Sequence, residues 1–158
     1  MIDPTDRRKQ IMFKAVAALA VRERSRLGLL RKLSEIFKEE GDKQIILAVL
    51  NELEEKKYLS DERYARIHVL TKSSRYGDRK LQWELMREGV DKETAQEAVR
   101  DNEVSEYDRA FALWKRKFGV PPEDHKERAR QIRFLASRGF SFKTIEKILR
   151  CEVFEEEF

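Results

Sequence analysis

Between Ser60 and Val99, apolar residues recur at helical spacing in three short pieces, each with its own start and stop signal. Ser60 is placed to cap the first, and Asp61 and Glu62 put negative charge in its first turn, where the helix dipole favours it. Tyr76-Gly77-Asp78 breaks the chain before the second. Gly89 ends that helix and Asp91 caps the third. The apolar positions are Tyr64, Ile67 and His68; Leu81, Leu85 and Met86; Thr94, Ala95, Ala98 and Val99. A three-helix unit this short buries too little apolar surface to stand alone, so its fold has to be completed by neighbours.

The rest of the chain supplies them. Leu85, Gly89, Thr94, Ala98 and Val99 match Leu135, Gly139, Thr144, Ile148 and Leu149, each pair 50 positions apart (135 − 85, and so on). Upstream, Asp42, Val49 and Leu50 precede Asp91, Ala98 and Val99 by 49 (91 − 42). Coincident caps, glycines and apolar positions at a fixed period are the mark of a helical array, in which each unit contacts mainly its neighbours. The expected division is 1–58, 59–103 and 104–158, one three-helix repeat each. The first repeat departs at its second turn, where Phe37 stands in place of Gly89.

In the first repeat, Asp3-Pro4 starts a helix with the stripe Met12, Ala15, Val16 and Leu19. Ser25 caps a second with Leu29, Leu30, Leu33 and Phe37. Asp42 opens a third with Ile46, Val49, Leu50 and Leu53. In the last repeat, Tyr107, Ala110, Phe111, Trp114 and Phe118 form a strong stripe stopped by Gly119-Val120-Pro121-Pro122. Ala129, Ile132, Leu135 and Ala136 follow, and then a helix capped by Ser141 with Ile145, Ile148 and Leu149. No alternating β-branched runs are present, so the chain is expected to be all-α.

Charged residues make up 41% of the 158 residues, against about 25% in ordinary domains, yet another 41% are hydrophobic and periodic. That pairing excludes disorder and describes thin helices with wide solvated faces. The balance of 34 basic to 30 acidic residues permits contact with nucleic acid or an acidic protein surface without demanding it. The single cysteine, Cys151, rules out an internal disulfide and suits a reducing compartment. No apolar run approaches a membrane span, and the N-terminal MIDPTDRRKQIMFK lacks the apolar region of a secretory signal. A cytoplasmic monomer that does not engage a membrane is the expectation.

Catalysis has little to stand on. His68 and His125 are the two histidines; His68 falls on an apolar helix face and reads as a packed or hydrogen-bonded residue. No His or Cys pair has metal-ligand spacing and no glycine-rich phosphate loop is present, so no enzyme activity, metal or cofactor is expected. The more specific features are basic and aromatic. Arg79, Trp83 and Arg87 stand at i, i+4 and i+8 on one helix face, with Arg75 and Tyr76 just before it and Lys80 beside it. Guanidinium groups beside rings suit phosphates, bases or carboxylate-rich surfaces; equally, Trp83 could pack on an adjoining unit with the arginines around it. A second cluster holds Lys115, Arg116, Arg128, Arg130, Arg133 and Arg138. The end, CEVFEEEF, alternates acids with apolar residues and reads as a frayed tail or as a segment that docks over a basic groove.

LSDERYA followed by SRYGDRKLQWELMREGV, together with KRKFGVPPEDHKERARQIRFLASRGFSFKTIEKIL, resembles the RecX family of bacterial recombination regulators, and AVRERSRLGLLRKL resembles that family's first repeat. The similarity spans roughly Ala15 to Leu149. Asp78 stands where the family commonly has proline, and Trp83 occupies a position more often polar. The resemblance implies a non-enzymatic modulator of the recombinase RecA, built of tandem three-helix repeats in an elongated, curved array. Such a protein lies in the groove of the RecA filament on single-stranded DNA and limits filament growth, ATP hydrolysis and strand exchange. The twelve basic and aromatic residues named above, from Arg75 to Arg138, are then the candidate contacts to RecA or DNA. The alternative is a module that binds nucleic acid directly, and weak affinity for single- or double-stranded DNA is compatible with either.

Overall fold

The computed structural model describes residues 3–156, with side chains as far as Arg150. The described residues form nine helices and no strand: α1 (Pro4–Val21), α2 (Arg26–Ile36), α3 (Asp42–Glu55), α4 (Asp61–Lys72), α5 (Asp78–Arg87), α6 (Lys92–Arg100), α7 (Glu106–Lys117), α8 (His125–Ser137) and α9 (Phe142–Glu156). The starts are set by the expected caps. Ser25, Ser60 and Ser141 each accept a backbone N–H three residues on at 3.0–3.2 Å, and Asp91 does so at 2.9 Å. Ser105 and Asp124 cap α7 and α8 in the same way. The stops are left-handed glycines: Gly89 and Gly139 have φ of +87° and +88°, and the next residue donates back five positions, from Val90 to Leu85 and from Phe140 to Leu135. The first repeat has its left-handed glycine too, but displaced to Gly41 (φ +87°), four residues past the helix-ending Phe37.

In the first trio, α3 packs on both α1 and α2 around Ile11, Ala15, Leu29, Leu33, Ile46, Val49, Leu50 and Leu53. The α1 stripe lies one residue off the expected phase. Ile11, Ala15 and Ala18 are buried and Met12 and Leu19 flank them, while Val16 is 47% exposed. Both phases are apolar in sequence, and only the position of α3 decides between them. Ile67, Met86 and Ala136, also assigned to apolar faces, are exposed as well. Ala65 and Val69 carry the buried face of α4. In the last trio, α7, α8 and α9 enclose Ala110, Leu113, Trp114, Leu135, Ile145, Ile148 and Leu149. Here the buried Gln131 accepts from the Trp114 indole N–H at 2.8 Å and donates to the Val120 carbonyl at 3.1 Å, pinning the proline-rich loop to the core.

By backbone packing the chain divides into two compact units, Met1–Ile67 with Leu85–Ala95, and His68–Glu84 with Gln96–Phe158. The boundary cuts all three helices of the middle trio, and the reason is visible at the turns. In the first unit, the left-handed Gly89 sits against α2, so that a Cβ there would lie 2.6 Å from the Leu27 Cβ. Asp61, the first residue of α4, accepts the Arg26 N–H at the start of α2 at 2.7 Å. In the second unit, a Cβ on Gly139 would lie 2.3 Å from the Lys80 Cβ. Glu106, the first residue of α7, accepts the Asp78 N–H at the start of α5 at 3.2 Å. The same joint is made twice: the second helix of one trio enters the glycine turn of the next, and an acidic residue there covers its exposed N–H groups.

Candidate functional site

The second unit brings four of the sequence-designated residues to one ring. Tyr76 closes the turn between α4 and α5, and three cations surround it: Lys80 Nζ at 4.5 Å from the ring centroid, Arg138 at 5.6 Å and Arg75 at 5.7 Å. Two devices hold this turn. Gly77 donates its N–H to the Arg138 carbonyl at 2.8 Å and approaches so closely that a Cβ would stand 2.4 Å from the Gly139 carbonyl oxygen. From below, the buried Arg109 guanidinium donates to the carbonyls of Ser73 (2.8 Å) and Tyr76 (3.3 Å) and to Asp78 Oδ1 (2.7 Å). A fourth bond, to the Val104 carbonyl at 3.1 Å, occupies its remaining arm. A guanidinium taken out of water needs such partners on every arm, and meeting them fixes the chain path from Ser73 to Asp78.

The band continues onto α7 and α8. Arg138 also lies over Phe134 at 5.2 Å, Lys117 faces the same ring at 5.3 Å, and Arg130 faces Phe118 at 5.4 Å. Phe118 and Phe134 meet edge to face at 5.4 Å. Rings thus alternate with cations from Arg75 to Arg130. Each contact with an exposed cation is worth roughly 0.5–1 kcal/mol, too little to offset fully the repulsion among cations gathered so closely. Among the described residues, Arg75, Lys80 and Arg138 form no ion pair with a carboxylate. The arrangement therefore leaves positive charge unbalanced beside aromatic rings.

The other designated residues are placed differently. Arg79, Trp83 and Arg87 follow one another along α5, all exposed, with Trp83 at 56%. Arg130 shares Glu127 at 3.2 Å, and Lys115 lies 5.9 Å from the Phe111 ring. Arg116, Arg128 and Arg133 stand exposed on α7 and α8. Lys117, Phe118 and Phe134 were not designated from sequence. The i, i+4 ring-and-cation spacing of Phe134 and Arg138, like that of Tyr76 and Lys80, is a sequence signal for Phe134, whereas Lys117 and Phe118 meet Phe134 and Arg130 only through the fold. His68, read as packed, is half-buried with Nε2 2.9 Å from Glu84 Oε2. Among the described residues no cluster of three His, Cys, Asp or Glu is disposed to hold a metal, and no helix is long and apolar enough to cross a membrane. The CEVFEEEF side chains lie outside the described residues.

Fold and face together define an all-α protein of tandem three-helix units that presents a cationic, ring-studded surface. Residues 60–99 match the family description "RecX, second three-helix domain" and residues 105–149 "RecX, third three-helix domain". The Regulatory protein RecX of Leptothrix cholodnii is 38% identical over 144 residues, covering 91% of this chain and 90% of its own. That of Herbaspirillum seropedicae is 37% identical over 144 residues, covering 91% and 92%. The chain belongs to the RecX family. Its fold also matches the crystal structure of RecX from Lactobacillus salivarius, with a TM-score of 0.79 at 20% identity over 95% of this chain and 99% of that one.

Proposed function

We propose that this chain is a regulator that binds RecA filaments on single-stranded DNA and restrains their extension, ATP hydrolysis and strand exchange. Membership of a family whose relatives carry the name regulatory protein supports the regulatory role. The observation that carries the contact is the convergence of Arg75, Lys80 and Arg138 on Tyr76. Cations held at fixed positions around a ring meet carboxylates of a protein surface or phosphates of the enclosed DNA, and the ring offers a stacking plane. The repeats 1–58, 59–103 and 104–158 are the proposed modules of this surface, and Arg79, Trp83, Arg87, Lys115, Arg116, Arg128, Arg130 and Arg133 its proposed flanks.

The test is RecA ATP hydrolysis on single-stranded DNA. Substoichiometric chain lowers the rate, and Arg75→Glu with Arg138→Glu restores it while helical content stays unchanged. Full inhibition by the double variant removes the Tyr76 face from the account, and no inhibition by the unaltered chain removes the function. The same cations favour a second reading, direct binding of nucleic acid. Under it the chain holds naked DNA tightly without RecA, with affinity falling steeply as salt rises.

A further inference from the structure

The first unit carries an open groove of about 620 Å³ between α1 and α3 that the Tyr76 face does not involve. Its floor is apolar: Met12, Phe13, Val16, Leu53 and Tyr58. Phe13 is 73% exposed, Tyr58 61% and Val16 47%, a set of large apolar side chains that folding of this unit leaves in water. Arg8, Lys9 and Lys56 line the same groove against one carboxylate, Glu52. Glu52 is already engaged by Lys56 at 3.2 Å and Arg8 at 3.3 Å, and these bonds hold it below the ordinary carboxylate range. The rim is thus net positive over an apolar floor.

We propose that this groove docks an acidic amphipathic helix of a partner protein, with its apolar residues against Phe13, Val16 and Tyr58 and its carboxylates toward Lys9 and Lys56. Charge complementarity selects the occupant. Nucleic acid would satisfy the lysines but would bring phosphates onto Glu52 and leave the apolar floor wet. An apolar helix would leave the cationic rim unmatched. The described residues hold no strand whose edge an extended peptide could join, so a helix laid between two helices is the mode available. This docking is independent of the function proposed above and involves none of the contact residues named for it, from Arg75 to Arg138.

The probe is a fluorescein-labelled synthetic peptide with Leu and Phe at i, i+3, i+4 and i+7 and Glu elsewhere, titrated against the full chain by anisotropy. Saturable binding is expected, weakened about tenfold by Phe13→Ala and by Lys56→Glu, both exposed positions at which the melting curve checks folding. Arg75→Glu leaves it unchanged. A peptide with Lys in place of Glu does not bind. Equal binding of the Lys peptide, or no effect of Phe13→Ala, overturns the proposal. So does a sedimenting dimer that Phe13→Ala dissociates, which gives the groove to a second copy. Tighter probe binding after Phe154→Ser with Phe158→Ser overturns it in favour of the chain's own acidic end, and displacement of the probe by DNA overturns it in favour of nucleic acid.

Discussion

The two joints, Leu27 with Gly89 in the first unit and Lys80 with Gly139 in the second, use one design with different stringency. At the first, the glycine faces a leucine side chain: a Cβ on Gly89 would meet Leu27 Cβ at 2.6 Å, Cδ2 at 2.9 Å and Cγ at 3.3 Å, of which the outer two can turn aside while the Cβ moves only with its backbone. At the second, a Cβ on Gly139 would also meet the Lys80 backbone nitrogen at 2.9 Å, and one on Gly77 would meet the Gly139 carbonyl and the Phe140 nitrogen. The acidic caps differ likewise. Asp61 accepts the Arg26 N–H, and its burial raises its pKa above the ordinary value. Glu106 accepts the Asp78 N–H and also the Ser141 N–H, the Ser141 hydroxyl and the Thr144 hydroxyl at 2.8–3.3 Å, so one carboxylate serves the starts of α5 and α9. The joint that is backbone on backbone is the one that carries Tyr76. A surface that must hold three cations around a ring needs its turn fixed more tightly than a joint that only stacks helices.

That contrast can be broken by substitution. Gly77→Ala is expected to cost the most, about 3 kcal/mol or more, because its Cβ meets only backbone. Gly139→Ala follows, then Gly89→Ala, where the atoms in the way belong to the Leu27 side chain and none to backbone. Gly41→Ala, with open space around it, costs only the left-handed backbone, about 1–2 kcal/mol. Urea unfolding of the four variants gives the order, and equal losses at Gly77 and Gly41 would dissolve the distinction. Leu85→Ala and Leu135→Ala, at matched and fully buried positions, should each cost about 2–5 kcal/mol and differ little.

Smaller effects sharpen the comparison of caps. Glu106→Gln should lower stability by about 1–3 kcal/mol, since one oxygen facing donors becomes a donor itself. Asp61→Asn keeps an oxygen for the Arg26 N–H and removes a burial cost, so its effect at neutral pH stays within about 1 kcal/mol. In acid the sign matters. Asp42, bonded by Arg7, Glu52, bonded by Lys56 and Arg8, and Asp91, bonded by Thr94, all titrate below the ordinary range. Each contributes stability that is present above the unfolded value of about 4 and is lost as pH falls through its lower folded value. Asp61, with its raised pKa, runs the other way: its contribution is present below the unfolded value and lost as pH rises through the folded one. Asp61→Asn therefore steepens the acid-side loss of stability, which melting temperatures from neutral to pH about 3 would show.

Much of the frame was legible because it is written locally. Ser25, Ser60, Asp91 and Ser141 announce helix starts within four residues, and Gly89 and Gly139 announce stops. What the sequence hid is polar and long-range. Arg7 reaches Asp42 with two bonds at 2.9 and 2.7 Å and latches α1 to the α2–α3 turn, across 35 positions. Arg109 and Gln131 stand out in no local pattern, because their burial depends on partners that only the fold assembles. The repeat correspondence is inexact at one point: Asp42 opens α3 as expected, but as its first helical residue, accepting from Arg7 and the Glu39 N–H, whereas its sequence match Asp91 stands one step earlier and caps its helix. For the candidate face, the tyrosine and arginines were visible, but their convergence required the Gly77 to Gly139 approach, which joins residues about sixty positions apart.

The most direct test of the account is a reconstruction of this chain bound to a RecA filament on single-stranded DNA. Tyr76, with Arg75, Lys80 and Arg138 around it, is expected to lie against the filament, facing carboxylates or phosphates. A bound chain whose Tyr76 face is turned to solvent, with another surface making the contact, would contradict it.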